Sequence, residues 1–299
     1  MGQRTDQTWA AARQRYGPRD EVALFDGDPR LALVTVNFST TRYLKLMLCT
    51  LGEQRELWFL RRLVIVDNHS RDGGLPFLRA LAARVPRVHL VERRHALHHA
   101  GGMRAGVRAL TELERDEPAD ARANVVVFCD TDVVFRNPAT LLDLSAALVT
   151  KDGAFVGEAR QAPPRPHPDV QASFFAVRRD AMARRDVRPL EHHGSPAFAM
   201  QWSMLRAGLT VVDFPSNHGG YVLHRGRAGV EAAAAYSVGA HARVPAARSE
   251  PHYMGVPDGP TIWAGIEAQW APLLAPEAEP ALLEHLAERF AVIGDDVGA

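Results

Sequence analysis

The stretch VVVFCDTDVVFRNP, Val125–Pro138, decides the fold class. Val125, Val126, Val127, Phe128 and Cys129 form an unbroken apolar run, which reads as a strand buried on both faces. Asp130 and Asp132 follow at its carboxyl end. Two like charges this close repel each other and resist burial, so they call for a nearby cation or for water.

Similar runs recur upstream. LALVTVNF (Leu31–Phe38), RLVIVDNHS (Arg62–Ser70) and RVHLVER (Arg87–Arg93) read as further strands. Between them, TTRYLKLMLCTLGEQ, PFLRALAARV and GGMRAGVRALTELERD carry apolar residues at helical spacing. Strands alternating with helices predict βαβ units: an α/β fold with a mainly parallel sheet flanked by helices. Such sheets bind ligands outside the carboxyl ends of their strands. Asn37, Asp67, Asn68, Asp130 and Asp132 all fall there.

Beyond Pro138 the alternation weakens. GAFVGEAR and ASFFAVRR read as strands separated by the proline-rich loop QAPPRPHPDV. VRPLEHHGSPAFAMQWSMLRAGLTVVDFP reads as a loop and helix returning to a strand, with HGGYVLHRG after it. From about Glu231 the tail mixes loop residues with a final helix, EPALLEHLAERFAVI. No repeat, low-complexity tract or linker interrupts the chain. The expected division is a leading segment over 1–28, a catalytic unit over 29–230 and an extension over 231–299 packed on the same unit.

The 299 residues are 46% hydrophobic and 23% charged, as in an ordinary soluble globular protein. A formal net charge of zero and a pI near 7.3 argue against a nucleic-acid binder. Cys49 and Cys129 sit in apolar segments, as free thiols do in a reducing compartment, and no metal-type cysteine spacing occurs. The first residues lack the apolar core of a secretory signal, and no window is apolar enough for a transmembrane helix. A cytoplasmic location is expected.

A D-x-D at the end of a buried strand suits a hard divalent cation bound through oxygen; Mg²⁺ typically takes one or two carboxylates, with substrate phosphates and water completing its shell. The bland alternative is a pair of solvated or capping aspartates. Asp67 can accept hydrogen bonds from a nucleobase N–H, with Asn37 and Asn68 shaping the pocket. Asp67–Ser70 also reads as a strand followed by an Asx turn, whichever role holds.

Together these segments resemble the family 2 glycosyltransferases of GT-A fold, over roughly Leu31 to Gly229. LALVTVNFST resembles the first nucleotide strand and VIVDNHSRDGG the base-binding strand. HALHHAGGMRAGVRAL is similar to the glycine-rich segment, FCDTDVVF to the D-x-D strand and YVLHRGRAG to the late H-x-x-G segment.

The resemblance implies a GT-A sheet with acceptor-side elaborations toward the C-terminus. Its implied nucleotide-binding set is Thr35, Asn37, Asp67, Asn68, Arg104 and Asp130. Asp130, Asp132 and His224 would hold Mn²⁺ or Mg²⁺. The donor would be a UDP- or dTDP-type sugar. The acceptor would be a hydroxyl on a natural product, a polysaccharide or a lipid-linked sugar. A homodimer stays open as the assembly.

The chain departs from the family in two places. Ala96, His98 and Arg104 stand where the family often has Asn, Gly and Asn. The acidic pair that carries the general base of inverting members is absent, with Pro196–Ala197 and Met200–Gln201 at the corresponding places. Glu191, His192 and His193 are the nearest basic groups and the candidate catalytic residues. Inversion wants such a base within about 3 Å of the acceptor hydroxyl. Without one, either configuration is retained or the chain binds nucleotide sugars without efficient transfer. A sugar-1-phosphate nucleotidyltransferase is a further alternative, opposed by the lack of glycine in NFSTTRY.

Overall fold

The computed structural model describes residues 29–55, 57–160, 169–192, 195–237 and 245–293. The expected leading segment, part of the proline-rich loop and His193 lie outside the described residues.

The chain opens with three strand–helix pairs. Strand β1 (Leu31–Asn37) is followed by α1 (Thr41–Gly52), β2 (Leu60–Asp67) by α2 (Leu75–Arg84), and β3 (Val88–Glu92) by α3 (His99–Leu113). The run Val125–Cys129 is β4, and a short β5 (Val133–Phe135) follows the two aspartates. Next come α4 (Thr140–Thr150), β6 (Gly153–Arg160), β7 (Asp169–Arg178), the single turn α5 (Arg179–Met182), α6 (Phe198–Arg206) and β8 (Thr210–Asp213). Strand β9 (Val222–His224), α7 (Ala228–Ala235), the short α8 (Ala246–Ser249), α9 (Gly259–Leu274) and α10 (Glu279–Phe290) complete the described part.

The main sheet has the order β3-β2-β1-β4-β7-β6-β8, and β5 pairs with β9 in a second sheet. Pairing in the main sheet is parallel except at β7, which runs antiparallel to β4 and β6, and the β5–β9 pair is antiparallel. That single reversal separates the βαβ half from β6 and β8 without breaking the sheet.

Alternate strand residues feed two cores, as the pleat requires. Leu31 and Leu33 of β1 join a core with Leu44, Phe77, Trp263, Leu286 and Phe290. Ala32, Val34 and Val36 join the opposite core with Met103, Leu110, Phe175 and Met204. Residues of α9 and α10 thus share a core with the first strand.

Helix α3 lies unusually close to β1. A Cβ at Gly102 would stand 2.6 Å from Val36 Cγ1, and one at Gly106 would stand 2.4 Å from Val34 Cγ1. Gly102 and Gly106 therefore serve helix–sheet packing, whatever they do for a ligand.

The described βαβ elements, β6, β7, α6, β8 and the final helix fall where the sequence places them, apart from shifted ends. Helix α9 is a correction to the reading of the tail. Its buried residues are Gly259, Trp263 and Trp270. Ile262, Ile266, Leu273 and Leu274 pack against the same core at helical spacing, while the helix opens on Gly259–Pro260, a pair that reads as loop.

Candidate active site

The carboxyl ends of β1 and β2 are locked together by side chains. Asn37 is fully buried, and its Nδ2 donates to Thr41 Oγ1 (2.9 Å), Ser70 Oγ (3.1 Å) and Asp67 Oδ1 (3.2 Å). Its Oδ1 accepts from Thr40 Oγ1 at 3.0 Å. Asp67 Oδ2 accepts from the Ser70 amide at 3.2 Å, three residues on rather than the two of the expected Asx turn. The Asp67 carboxylate is thereby held in one orientation at the strand end.

Asn68 works on the next loop. Its Nδ2 donates to Leu97 O (2.6 Å), and its Oδ1 accepts from Leu97 N (2.9 Å). That double clamp sets the approach to α3, whose start is capped by His98 Nδ1 accepting from Gly101 N at 3.0 Å. Thr35 is buried inside β1, with no hydrogen-bond partner for Oγ1 among the described residues.

Asp130 and Asp132 meet imidazoles. His99 Nε2 lies 3.2 Å from Asp130 Oδ1. His224 Nε2 lies 3.3 Å from Asp132 Oδ1 and 3.8 Å from Asp130 Oδ2. Asp132 Oδ2 also accepts from Ala228 N, at the start of α7, at 3.1 Å. Asp130, Asp132 and His224 offer ligand atoms all within 4.8 Å of one another.

Charge and burial compete here. Burial pushes the Asp132 carboxyl up, but the charge and hydrogen bond of His224 outweigh it, and its pKa is lowered. Burial pushes His224 down, yet Asp132 and Asp130 raise it overall. His99 behaves alike: desolvation opposes its charged form, and Asp130 reverses the balance. The second imidazole against His224 is His252, its ring centroid 5.4 Å away. Burial, then the charges of His224 and Arg227, push His252 down to about 4.

The other candidates line a separate stretch. Arg104 Nη1 donates to the Leu190 carbonyl. Glu191 Oε1 pairs with Arg188 Nη2 at 2.6 Å, and the His192 ring stacks at 4.3 Å on His98. Helix α6 starts where the acidic pair would stand. Next to it Asp169, fully buried, accepts from Ser195 Oγ at 3.0 Å and Gln201 Nε2 at 3.5 Å.

Sequence reasoning passed over His99, Asp169 and Glu158. For His99 a signal existed: it opens the helix that follows the third strand, and such helix starts face the strand ends. Asp169 and Glu158 lie inside segments with no motif.

Residues 33–206 match the family model described as glycosyl transferase family 2. The chain belongs to that family.

The mannosyltransferase PcManGT from Pyrobaculum calidifontis, solved with GDP-Man and Mn²⁺, is similar at TM-score 0.50 and 18% identity, over 95% of this chain and 80% of its own. TarS of S. aureus (residues 1–349), solved with UDP-GlcNAc, aligns at TM-score 0.46 and 12% identity, over 62% and 56% of the two chains. Among curated protein sequences none matches.

The family 2 chain thus carries the GT-A architecture that its motifs imply. No helix among its described residues is long and apolar enough to cross a membrane. Cys49 and Cys129 are buried and free, and burial pushes the Cys49 thiol up to about 12.

Proposed function

We propose that this chain transfers a sugar from a UDP- or dTDP-type donor to a hydroxyl acceptor, with a divalent cation held by Asp130, Asp132 and His224. One observation carries the reading. In a family 2 chain, two carboxylates and an imidazole converge within 4.8 Å at the end of β4, on the sheet edge that also carries Asp67.

The donor set fits the cation. Two hard carboxylates suit Mg²⁺ or Mn²⁺, and one imidazole favours Mn²⁺ over Mg²⁺. When bound, the ion supplies Lewis-acid stabilisation of the departing nucleoside diphosphate. Asp132 and His224 would hold the ion, with Asp130 as the third ligand nearest the ribose. Asp67, its carboxylate fixed by Asn37 and Ser70, accepts from the imide N–H of uracil or thymine. His99 adds a donor beside Asp130 on the diphosphate side.

On the acceptor side, Glu191, His192 and His193 are the groups for taking up the hydroxyl proton in an inverting displacement. The absence of the acidic pair favours one second reading, a protein that binds donor without efficient transfer.

Calorimetric titration with UDP, dTDP and GDP, with and without Mn²⁺, tests the donor half. Mn²⁺-dependent preference for the pyrimidine diphosphates supports the reading, and preference for GDP overturns the assigned base. Hydrolysis of a matching nucleotide sugar separates enzyme from binder. Glu191→Gln should lower kcat by about 10²-fold if it is the base.

A further inference from the structure

We propose that Glu158, acting through Asn217, is the positioning residue that sets where His224 sits and thereby completes the cation triad. The inference rests on reading Asp130, Asp132 and His224 as that triad.

The three candidate ligands come from two different sheets. Asp130 continues β4 of the main sheet, and its amide donates to Ser173 O at 2.8 Å. His224 belongs to the small sheet and Asp132 immediately precedes its strand β5: Val133 pairs with His224, and Arg225 N donates to Asp132 O at 2.9 Å. Asp132 is tied to Asp130 through one intervening residue. His224 is held on one side by its pairing with Val133 and on the other follows the connection from β8, so its distance from Asp130 also depends on how that connection docks on the main sheet.

Glu158 supplies the docking point. It lies near the carboxyl end of β6, 6% exposed. A carboxylate buried to this degree needs donors, and one loop provides them all. Oε2 accepts from Asn217 N, from Ser216 Oγ at 3.3 Å and from His218 N at 3.3 Å, while Oε1 faces His218 Nδ1. Asn217, 1% exposed, then reaches across: its Oδ1 accepts from the His224 amide at 2.8 Å. The path runs from the main sheet through one carboxylate and one carboxamide to the backbone of His224.

The side of the ring away from the aspartates has no comparable hold. A metal-binding histidine usually donates its second ring N–H to a carboxylate, a carbonyl or water, which fixes its orientation. His224 Nδ1 is buried without a hydrogen-bond partner among the described residues. Its placement therefore falls to the backbone, held by β5 on one side and by Asn217 on the other.

The test compares two losses in one loop. Asn217→Ala removes the bond to His224, whereas Ser216→Ala removes a bond to Glu158 and leaves that one. Mn²⁺ affinity is read by electron paramagnetic resonance with UDP present, UDP affinity without metal by calorimetry, and folding by thermal melting. Asn217→Ala should weaken Mn²⁺ binding by about tenfold or more, the scale of a lost supporting contact. Ser216→Ala should stay within about twofold, and metal-free UDP binding should hold in both.

Glu158→Gln should repeat the Asn217→Ala result, and the double variant should be no worse than either single, because both cut one path. Asn217→Asp, which keeps the acceptor oxygen, should retain Mn²⁺ and covers the case in which Asn217→Ala fails to fold. Equal Mn²⁺ affinity in wild type and Asn217→Ala, or equal losses in the Ser216 and Asn217 variants, overturns the relay alone. A wild-type protein that binds UDP but no Mn²⁺ overturns the triad with it.

Discussion

At the amino end of the main sheet, Glu114 is 1% exposed and closed in by Arg179, Arg62 and the Ala123 amide. Arg62 also pairs with Glu117, which Arg87 approaches at 3.4 Å. At the carboxyl end, Asp130 and Asp132 find only His99 and His224 as ion-pair partners among the described residues. Arginine stays charged at any working pH, whereas an imidazole gives up its proton. One end is neutralised by permanent cations and is structure. The other keeps anionic charge whose balance depends on protonation or on an added cation. Buried charge marks function where the protein leaves it incompletely answered.

The sharpest way to break that contrast is to remove a charge at each end. Asp132→Ala should abolish Mn²⁺-dependent binding of nucleoside diphosphate, because a hard cation loses an anionic ligand. Asp132→Asn should rescue poorly. Titration calorimetry decides it, and unchanged metal-dependent binding would sink the cation site.

Glu114→Ala should do the reverse. It leaves Arg62 and Arg179 without their shared carboxylate, and removing one partner from a buried pair costs about 3–5 kcal/mol of stability. Denaturant unfolding measures that loss. Nucleotide affinity of the folded fraction should not move, and if it does, the two ends are coupled.

Asp67→Ala should weaken nucleotide binding by about 1.5–3 kcal/mol, the range for hydrogen bonds to a charged group, with or without metal. A loss seen only with Mn²⁺ would place Asp67 in the cation site instead.

The smallest effect concerns pH. Burial, then Arg62 and Arg87, push His89 down to about 4, so in the fold it stays neutral where an unfolded histidine, near 6.5, takes a proton. Its contribution is fully present above about 6.5 and is lost as pH falls from there toward 4. His89→Gln should flatten that part of the acid limb in melting curves recorded across the window. An unchanged limb would assign the acid sensitivity elsewhere.

Much of this could be read along the chain. The apolar runs ending in Asn37, Asp67 and Asp130 expose both the parallel sheet and the edge where ligands bind, because burial on both faces demands continuous apolar residues. The D-x-D aspartates are visible for the same reason, as charges placed where the run stops. Helix α9 was missed although Ile262, Trp263, Ile266, Trp270 and Leu273 recur at helical spacing, because it opens on Gly259–Pro260 and carries Pro272, residues that read as loop. Arg104 was marked for the diphosphate by its place in a motif, while its side chain is turned to Leu190. His99 sat in plain view beside His98, and only the fold separates the cap from the partner of Asp130.

By itself the sequence determined the α/β class, the strand ends and the two acidic positions, all of which follow from local hydrophobic period and its interruption. Only the tertiary structure decided which imidazoles answer those acids. His99 and His224 reach them from a helix start and a second sheet, and Glu158 reaches His224 through Asn217. Contacts of that kind depend on how sheets and loops dock, and docking is set by packing between residues far apart in the chain, which no local pattern records.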